Sequence, residues 1–188
     1  MVYHVSATPG LAVLVPRRSS HGKAFVYAVD NLVTGLLFGA RHDDFDFLLD
    51  VDGRGAPEVW ECYPGAFDAV YRGRRCTVYA LEEAGFVRGA TPWQPELVCE
   101  SPVPVRQETA VPDLHARLLQ EAANGALLLH RYAGTPEHRA LVAAHVADRL
   151  VRFDALARLQ SDARFERYER PVLEAIRALL AGQAGAGG

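Results

Sequence analysis

The chain of 188 residues is long enough for one ordinary domain or for a domain with a helical appendage, and two full domains would be tight. Its 49% hydrophobic and 23% charged residues are typical of a soluble globular protein and exclude a disordered or membrane-inserted chain. The formal net charge of -3 gives no indication of nucleic acid, although two arginine clusters leave a local basic patch open. These clusters are Arg17 with Arg18, and Arg72 with Arg74 and Arg75.

The lack of a membrane span and of a secretion signal predicts a cytoplasmic protein without a membrane partner. No apolar run approaches the roughly 20 residues of a membrane span, and the N-terminus lacks the charged region that precedes the apolar run of a secretion signal. Cys62, Cys76 and Cys99 are odd in number, widely spaced and set in apolar segments. We therefore expect buried free thiols rather than a disulfide framework or a zinc site.

The first forty residues predict two strands followed by a helix. Val2–Ser6 and Ala24–Val29 are apolar runs that suit a pleated surface. Leu11–Val15 predicts a further short extended piece between these two strands. Residues 17–23 are polar and predict a mobile loop. Asp30 is expected to cap the helix, since its side chain can accept hydrogen bonds from the free N–H groups of the first turn.

The middle of the chain is rich in strand signals. Residues 41–46 contain four potential metal ligands, but these are consecutive in sequence rather than placed to converge, which favours a solvated loop. Two runs flanking Asp52-Gly53-Arg54-Gly55 predict a hairpin. A helical turn and three further strands follow: Ala66–Tyr71, then Cys76–Leu81, Glu96–Ser101 and Val103–Gln107. Without a regular alternation of strands and helices, we expect an antiparallel or mixed sheet.

The composition becomes helical after Pro112. Asp113 predicts one helix cap, and Thr135 followed by Pro136 predicts another. A last helix is expected from Phe165 or Arg170 to Leu180. We therefore predict a β-rich core over residues 1–112, a helical region packed on it over 113–181, and a disordered tail over 182–188.

The common catalytic motifs are missing from the sequence, which has no G-x-S-x-G, no phosphate loop, no H-E-x-x-H and no paired C-x-x-C. His138 and His145 lie two helical turns, about 10.5 Å, apart, which is too far for one metal ion. No metal site is predicted. What remains is one histidine, one tyrosine and one glutamate on three predicted strands: His4, Tyr27 and Glu96.

The segments around these residues resemble a known superfamily. Y-H-V-S with G-L-x-x-L-x-P, then H-G-K-A-F-V-Y-A, then P-E-L-V-C-E-S-P-V-P-V look like the ADP-ribosyltransferase-like superfamily, over roughly the first 107 residues. The chain also resembles a group of small bacterial proteins of uncharacterised function, which implies no activity. The superfamily resemblance implies an α+β fold with a split antiparallel or mixed β core, followed here by C-terminal helices.

The same resemblance implies roles for individual residues. His4 would hydrogen-bond a ribose hydroxyl of NAD, Tyr27 would stack on the nicotinamide, and Glu96 would hold the reacting ribose. Glu100, four residues further on and expected on the same strand face, is the competing candidate for the acid. Arg17, Arg18 and His21 would bind the pyrophosphate. Gln94-Pro95-Glu96 keeps the spacing of the family's Q-x-E arrangement.

The function implied is an NAD-dependent ADP-ribosyltransferase that uses NAD as a substrate and acts on an unknown macromolecular acceptor. Two alternatives stay open. One is a non-enzymatic interaction protein on the same fold, and the other is an enzyme similar to RNA 2′-phosphotransferases, which the basic loop would suit. The identity of the acceptor and the oligomeric state are not predicted.

Overall fold

The structure, a computed structural model, describes residues 1–18 and 23–185. Its strands are β1 (Val2–Ser6), β2 (Val13–Leu14), β3 (Arg17–Arg18), β4 (Ala24–Val29), β5 (Phe47–Val51), β6 (Pro57–Glu61), β7 (Cys76–Leu81), β8 (Val87–Arg88), β9 (Glu96–Cys99), β10 (Val103–Val111) and β11 (Leu128–His130). Its helices are α1 (Leu32–Leu37), α2 (Ala66–Tyr71), α3 (Leu114–Ala123), α4 (Pro136–Arg152), α5 (Arg158–Ser161), a 3₁₀ turn (Ala163–Arg167) and α6 (Arg170–Gly185). The protein is therefore of mixed α+β class.

The chain divides into two compact units, each with its own sheet. Unit 1 comprises residues 1–41 and 71–127, and unit 2 comprises residues 42–70 and 128–188. These units do not coincide with a division at residue 112. The β5–β6 hairpin lies with the later helices, and α3 lies with the earlier strands, because the chain crosses between the units more than once.

Unit 1 contains an eight-stranded antiparallel sheet. Its order is β2-β10-β7-β1-β4-β9-β8, with β3 paired to β4. One face carries a buried apolar cluster to which β1, β4, β7 and β9 all contribute, because alternate residues of a strand point to the same side. Its members are Val2, Leu14, Val26, Ala28, Tyr79, Leu81, Leu97, Cys99 and Val103. The predicted strands Val2–Ser6, Ala24–Val29 and Cys76–Leu81 are confirmed with the predicted bounds.

The sheet opens between β1 and β4. In the described residues these strands are paired where Tyr3 stands opposite Val29, whereas β1 is paired with β7 along its whole length, from Val2 to Ser6. Beyond Tyr3, β1 and β4 separate, and a gap lined by residues of both strands results.

Helix α1 packs beside this gap and begins one residue later than predicted. Asn31, not Asp30, is the N-cap, since its side-chain oxygen accepts from the N–H groups of Val33 at 2.8 Å and Thr34 at 3.1 Å. Asp30 instead forms an ion pair with Arg88. Both residue types can cap a helix, so the sequence signal was right in kind and shifted by one position.

Unit 2 contains a three-stranded mixed sheet in the order β11-β6-β5. The antiparallel β5–β6 hairpin is confirmed, and β11 joins β6 in parallel, with His130 opposite Trp60. Helix α4 begins as predicted, with Thr135 as N-cap and proline in its first turn. The buried residues Val142, Val146 and Leu150 follow one stripe of this helix.

The loop predicted to be solvated between α1 and β5 is instead tied into unit 2. Asp46 is 4% exposed, and the Arg164 guanidinium donates to Asp43 at 2.6 Å and to Asp46 at 2.7 Å. Arg158 also reaches Asp43, at 2.9 Å, and Asp162 accepts from both arginines. Asp46 is a buried charge and Asp43 a partly exposed one, and both are paired because distant arginines fold onto them, which the local sequence does not show.

Three further predictions can be compared with the structure. The three cysteines are buried free thiols, as expected. Helix α6 continues to Gly185, so the predicted tail is helical at its start, and residues 186–188 lie outside the described residues. Among the helices of the described segments, none has the length and apolarity needed to cross a membrane.

Candidate functional site

His4 bridges the gap between β1 and β4. Its Nδ1 lies 2.8 Å from the Tyr27 carbonyl oxygen, and because a carbonyl only accepts, Nδ1 carries the hydrogen. Burial lowers the pKa of His4 below its ordinary value, the Tyr27 hydrogen bond opposes that shift, and the positive charge of Arg17 adds to it. A neutral imidazole with hydrogen on Nδ1 leaves Nε2 as an acceptor for a hydroxyl group.

The gap widens into a cavity of about 480 Å³, here called the arginine cleft. Three arginines and three aromatic rings stand around His4 in its wall, and the residues used below are His4, Arg17, Arg18, Tyr27, Phe38 and Arg41. A cavity with several cationic groups and aromatic faces suits an anionic ligand that also carries flat rings.

A smaller cavity of about 130 Å³, the inner pocket, shares part of this wall. It is lined by His4, Tyr27, Gly35, Phe38, Trp93 and Glu96, together with other residues of β1 and β4. His4, Tyr27 and Phe38 belong to both cavities. The structure therefore brings the three residues singled out from the sequence to one pocket.

Strand register accounts for the position of Glu96. Glu96 stands opposite Val29 in the β4–β9 ladder, and Val29 stands opposite Tyr3 in the β1–β4 ladder. Residues directly opposite each other share a sheet face, and so do residues two apart on one strand. Glu96 and Tyr27 are thus on the same face, at the point where the sheet begins to open.

Arg88 fixes the backbone in front of Glu96. It stands opposite Leu97 in the β8–β9 ladder, and its guanidinium donates to the carbonyl oxygens of Gln94 at 3.3 Å and Pro95 at 3.5 Å while pairing with Asp30. The residue therefore joins the end of β4 to the segment that carries the carboxylate.

Glu100 is placed differently from Glu96. Strand β9 ends at Cys99, so Glu100 lies beyond the strand rather than on its face. It is exposed, 3.9 Å from Lys23, and lines another cavity with Glu82 and Arg106. Of the two candidate acids, Glu96 is the one that lines the inner pocket.

The predicted mobile loop is partly ordered strand. Arg17 stands opposite Phe25 and Arg18 opposite Ala24, so β3 holds both arginines along β4. His21 lies outside the described residues.

Sequence reasoning missed Arg41, Trp93 and Phe38. Arg41 lines the arginine cleft, and Trp93 lines the inner pocket with its ring 5.1 Å from that of Phe38. Trp93 stands three residues before Glu96, which is a usable signal, whereas Arg41 follows α1 without any motif. Within the part of the chain that the structure describes, no group of three or more His, Cys, Asp or Glu side chains is arranged to hold a metal ion.

The fold and the site define an α+β protein with an antiparallel sheet that opens between two neighbouring strands, a cleft lined by arginines and a carboxylate in an aromatic pocket. The chain matches no family model, no curated protein and no solved structure. Any function assigned to it rests on the geometry of these two cavities.

Proposed function

We propose that unit 1 binds NAD and transfers its ADP-ribose to a macromolecular acceptor. The observation that carries the proposal is the inner pocket, which His4, Tyr27 and Glu96 all line and which shares walls with the arginine cleft. NAD combines an anionic diphosphate with a planar cationic ring, and the two cavities offer groups complementary to each.

The reaction requires the bond between ribose C1′ and the nicotinamide nitrogen to break. The electron pair leaves with nicotinamide, which becomes neutral, and positive charge develops on the ribose. A lone pair of the acceptor then forms the new bond to C1′, and the acceptor's proton passes to solvent. A carboxylate that hydrogen-bonds a ribose hydroxyl stabilises charge that appears only in the transition state, which is the role we assign to Glu96.

The other residues would hold the substrate in register. His4 has a free acceptor role at Nε2 for a second ribose hydroxyl, since Nδ1 is committed to the Tyr27 carbonyl. Tyr27 and Trp93 offer ring faces to the nicotinamide, and Arg17, Arg18 and Arg41 line the cleft where the diphosphate would lie.

Calorimetry and an NAD hydrolysis assay test this proposal. We expect the wild-type protein to bind NAD and to hydrolyse it slowly, and Glu96→Gln to retain binding but lose about 100-fold or more in turnover, because only transition-state stabilisation is removed. Glu100→Gln is the matched control and should keep near wild-type turnover. Absence of NAD binding at millimolar ligand would contradict the proposal and favour a non-enzymatic interaction protein.

An enzyme similar to RNA 2′-phosphotransferases is the second candidate. The three arginines of the cleft favour it, because they suit a phosphate-rich substrate as well as they suit NAD. Release of the 2′-phosphate from a modified oligonucleotide in the presence of NAD, without label remaining on any protein acceptor, would distinguish the two activities.

A further inference from the structure

Charge is divided between the two ends of β7. Arg74 and Arg75 precede this strand, and Glu82 and Glu83 follow it. A strand of this length separates its ends by about 20 Å. Two arginines therefore flank one end of β7, and two glutamates flank the other.

The basic end of β7 adjoins the arginine cleft. Ser6, which lines the cleft, stands opposite Thr77, two residues after Arg75. Gly39, also in the cleft wall, is packed so closely that a Cβ atom added there would lie 2.8 Å from the Cys76 sulfur. Arg41 follows Gly39 by two residues and lines the same cleft. Arg41 therefore lies next to the Gly39 side of the Gly39–Cys76 contact, and Arg74 and Arg75 lie next to its Cys76 side. These three arginines are called the basic rim.

The basic rim is exposed and its charges are not neutralised. Across residues 1–18 and 23–185, no ion pair involves Arg41, Arg74 or Arg75, whereas Arg88 and Arg106 in the same unit are each paired with a carboxylate. Unpaired guanidinium groups keep their full attraction for an anion, and they lose no existing partner when one binds.

The backbone that presents the rim is held in place. The Arg74 N–H donates to the Tyr71 carbonyl at 3.0 Å, and the Arg74 carbonyl accepts from Leu114 N–H at 2.9 Å. Asp113, the nearby carboxylate, accepts from Ala116 N–H at the start of α3. A positioned turn orders fewer groups upon binding than a mobile one, so less conformational entropy is lost.

We propose that the basic rim binds single-stranded nucleic acid and leads it to the mouth of the arginine cleft. Phosphates of successive nucleotides match the several guanidinium groups of the rim, and the Phe38 ring in the cleft wall offers a face on which a base stacks. An acidic protein would use the charges but not the ring, which is why nucleic acid is the better match. Its role as the acceptor rests on the proposed transferase activity, whereas the binding itself does not.

Fluorescence anisotropy with a labelled single strand of about 12 nucleotides, without NAD, tests the binding. The variant Arg74→Gln/Arg75→Gln is compared with Arg152→Gln/Arg177→Gln, which removes two exposed arginines of unit 2 and makes the same change in net charge. We expect the first variant to lose about tenfold in affinity, and the slope of log K against log salt to fall by about 1.4, for two lost phosphate contacts. The control should stay within about twofold of wild type.

The binding would be overturned by the absence of salt-dependent association, by an equal loss in both variants, or by equal competition from polyglutamate of the same charge. Binding to anionic vesicles in place of the strand would also overturn it. If the strand is the acceptor, we expect the wild-type protein to transfer label from NAD to it and Arg74→Gln/Arg75→Gln to lose this transfer. Intact binding and intact NAD hydrolysis without such transfer would reject the acceptor role alone.

Discussion

The protonation state of His4 follows from its surroundings. Its imidazole is half-buried between two separating strands, one nitrogen donates to the Tyr27 carbonyl, and Arg17 contributes a positive charge nearby. All of these except the carbonyl disfavour the imidazolium, and burial is the largest contribution. The residue is therefore suited to accept a hydrogen bond rather than to carry charge.

The lowered pKa of His4 predicts a pH-dependent stability. As pH falls, the unfolded chain takes up the proton first, near pH 6.5, so the stabilisation is complete above that pH and is lost as pH falls through the folded pKa. We expect His4→Gln to flatten the decline of the unfolding free energy below about pH 6.5, by at most about 1.4 kcal/mol per pH unit. Denaturant unfolding between about pH 5 and 8 measures it.

His145 is the comparison for this experiment, because burial lowers its pKa too, while its Nε2 donates a hydrogen bond to the Asp44 carbonyl of unit 2 at 2.9 Å. His145→Gln should remove a separate part of the same pH dependence. An unchanged pH profile in His4→Gln would show that the His4 ring is not held neutral in the folded state.

At the scale of single elements, α1 depends on a cap that the sequence placed one residue too early. Asn31→Ala should lower the unfolding free energy by about 1 kcal/mol, because two N–H groups of the first turn lose their acceptor. Asp30→Ala should cost less than about 0.5 kcal/mol, since its ion pair with Arg88 is exposed. Thermal or denaturant unfolding of both variants measures the two losses. A larger loss of unfolding free energy in Asp30→Ala than in Asn31→Ala would show that Asp30 is the cap.

The strands show why local patterns predict elements better than they predict sites. The run Cys76–Leu81 is apolar except at Thr77 and is buried at every position. The local sequence predicts a polar loop at Arg17 and Arg18, because it does not show that the two residues pair with Phe25 and Ala24 of β4. The side chains were visible in the sequence, and their common placement at the cleft was not.

At the scale of the whole molecule, unit 2 depends on a cluster of paired charges. Unit 2 relies on Arg164, which bridges Asp43, Asp46 and Asp162. Hydrogen bonds from Arg164, together with those from Arg158, hold the pKa of Asp162 well below its ordinary value. This charge-paired stability is present above about pH 3.8 and is lost as pH falls through the lowered pKa.

Arg164→Gln should therefore destabilise unit 2 by about 2–4 kcal/mol, because a buried aspartate loses its counter-charge. Arg170→Gln, which breaks the exposed pair with Glu174, should cost less than about 0.5 kcal/mol. Thiol labelling followed by peptide mass spectrometry locates the effect. Cys62 reports on unit 2 and Cys76 on unit 1, and burial raises the pKa of both thiols, that of Cys76 to about 11.

We expect Arg164→Gln to accelerate labelling of Cys62 while leaving Cys76 unchanged. Equal acceleration at both cysteines would show that the two units unfold as one cooperative body. If Cys62 were labelled at the same rate in Arg164→Gln and in Arg170→Gln, the cluster of aspartates and arginines would not stabilise unit 2 as we predict.

The sequence by itself determined most strands and helices, the caps at Asp113 and Thr135, and the α+β class, because periodicity and capping act over a few neighbouring residues. It also supplied the candidate site residues His4, Tyr27 and Glu96. Only the tertiary structure decided the opening between β1 and β4, the entry of Arg41 and Trp93 into the cavities, and the division into two units. These features depend on pairings between segments far apart in the chain. Such pairings are selected by the burial of whole sheet faces, which no local pattern contains.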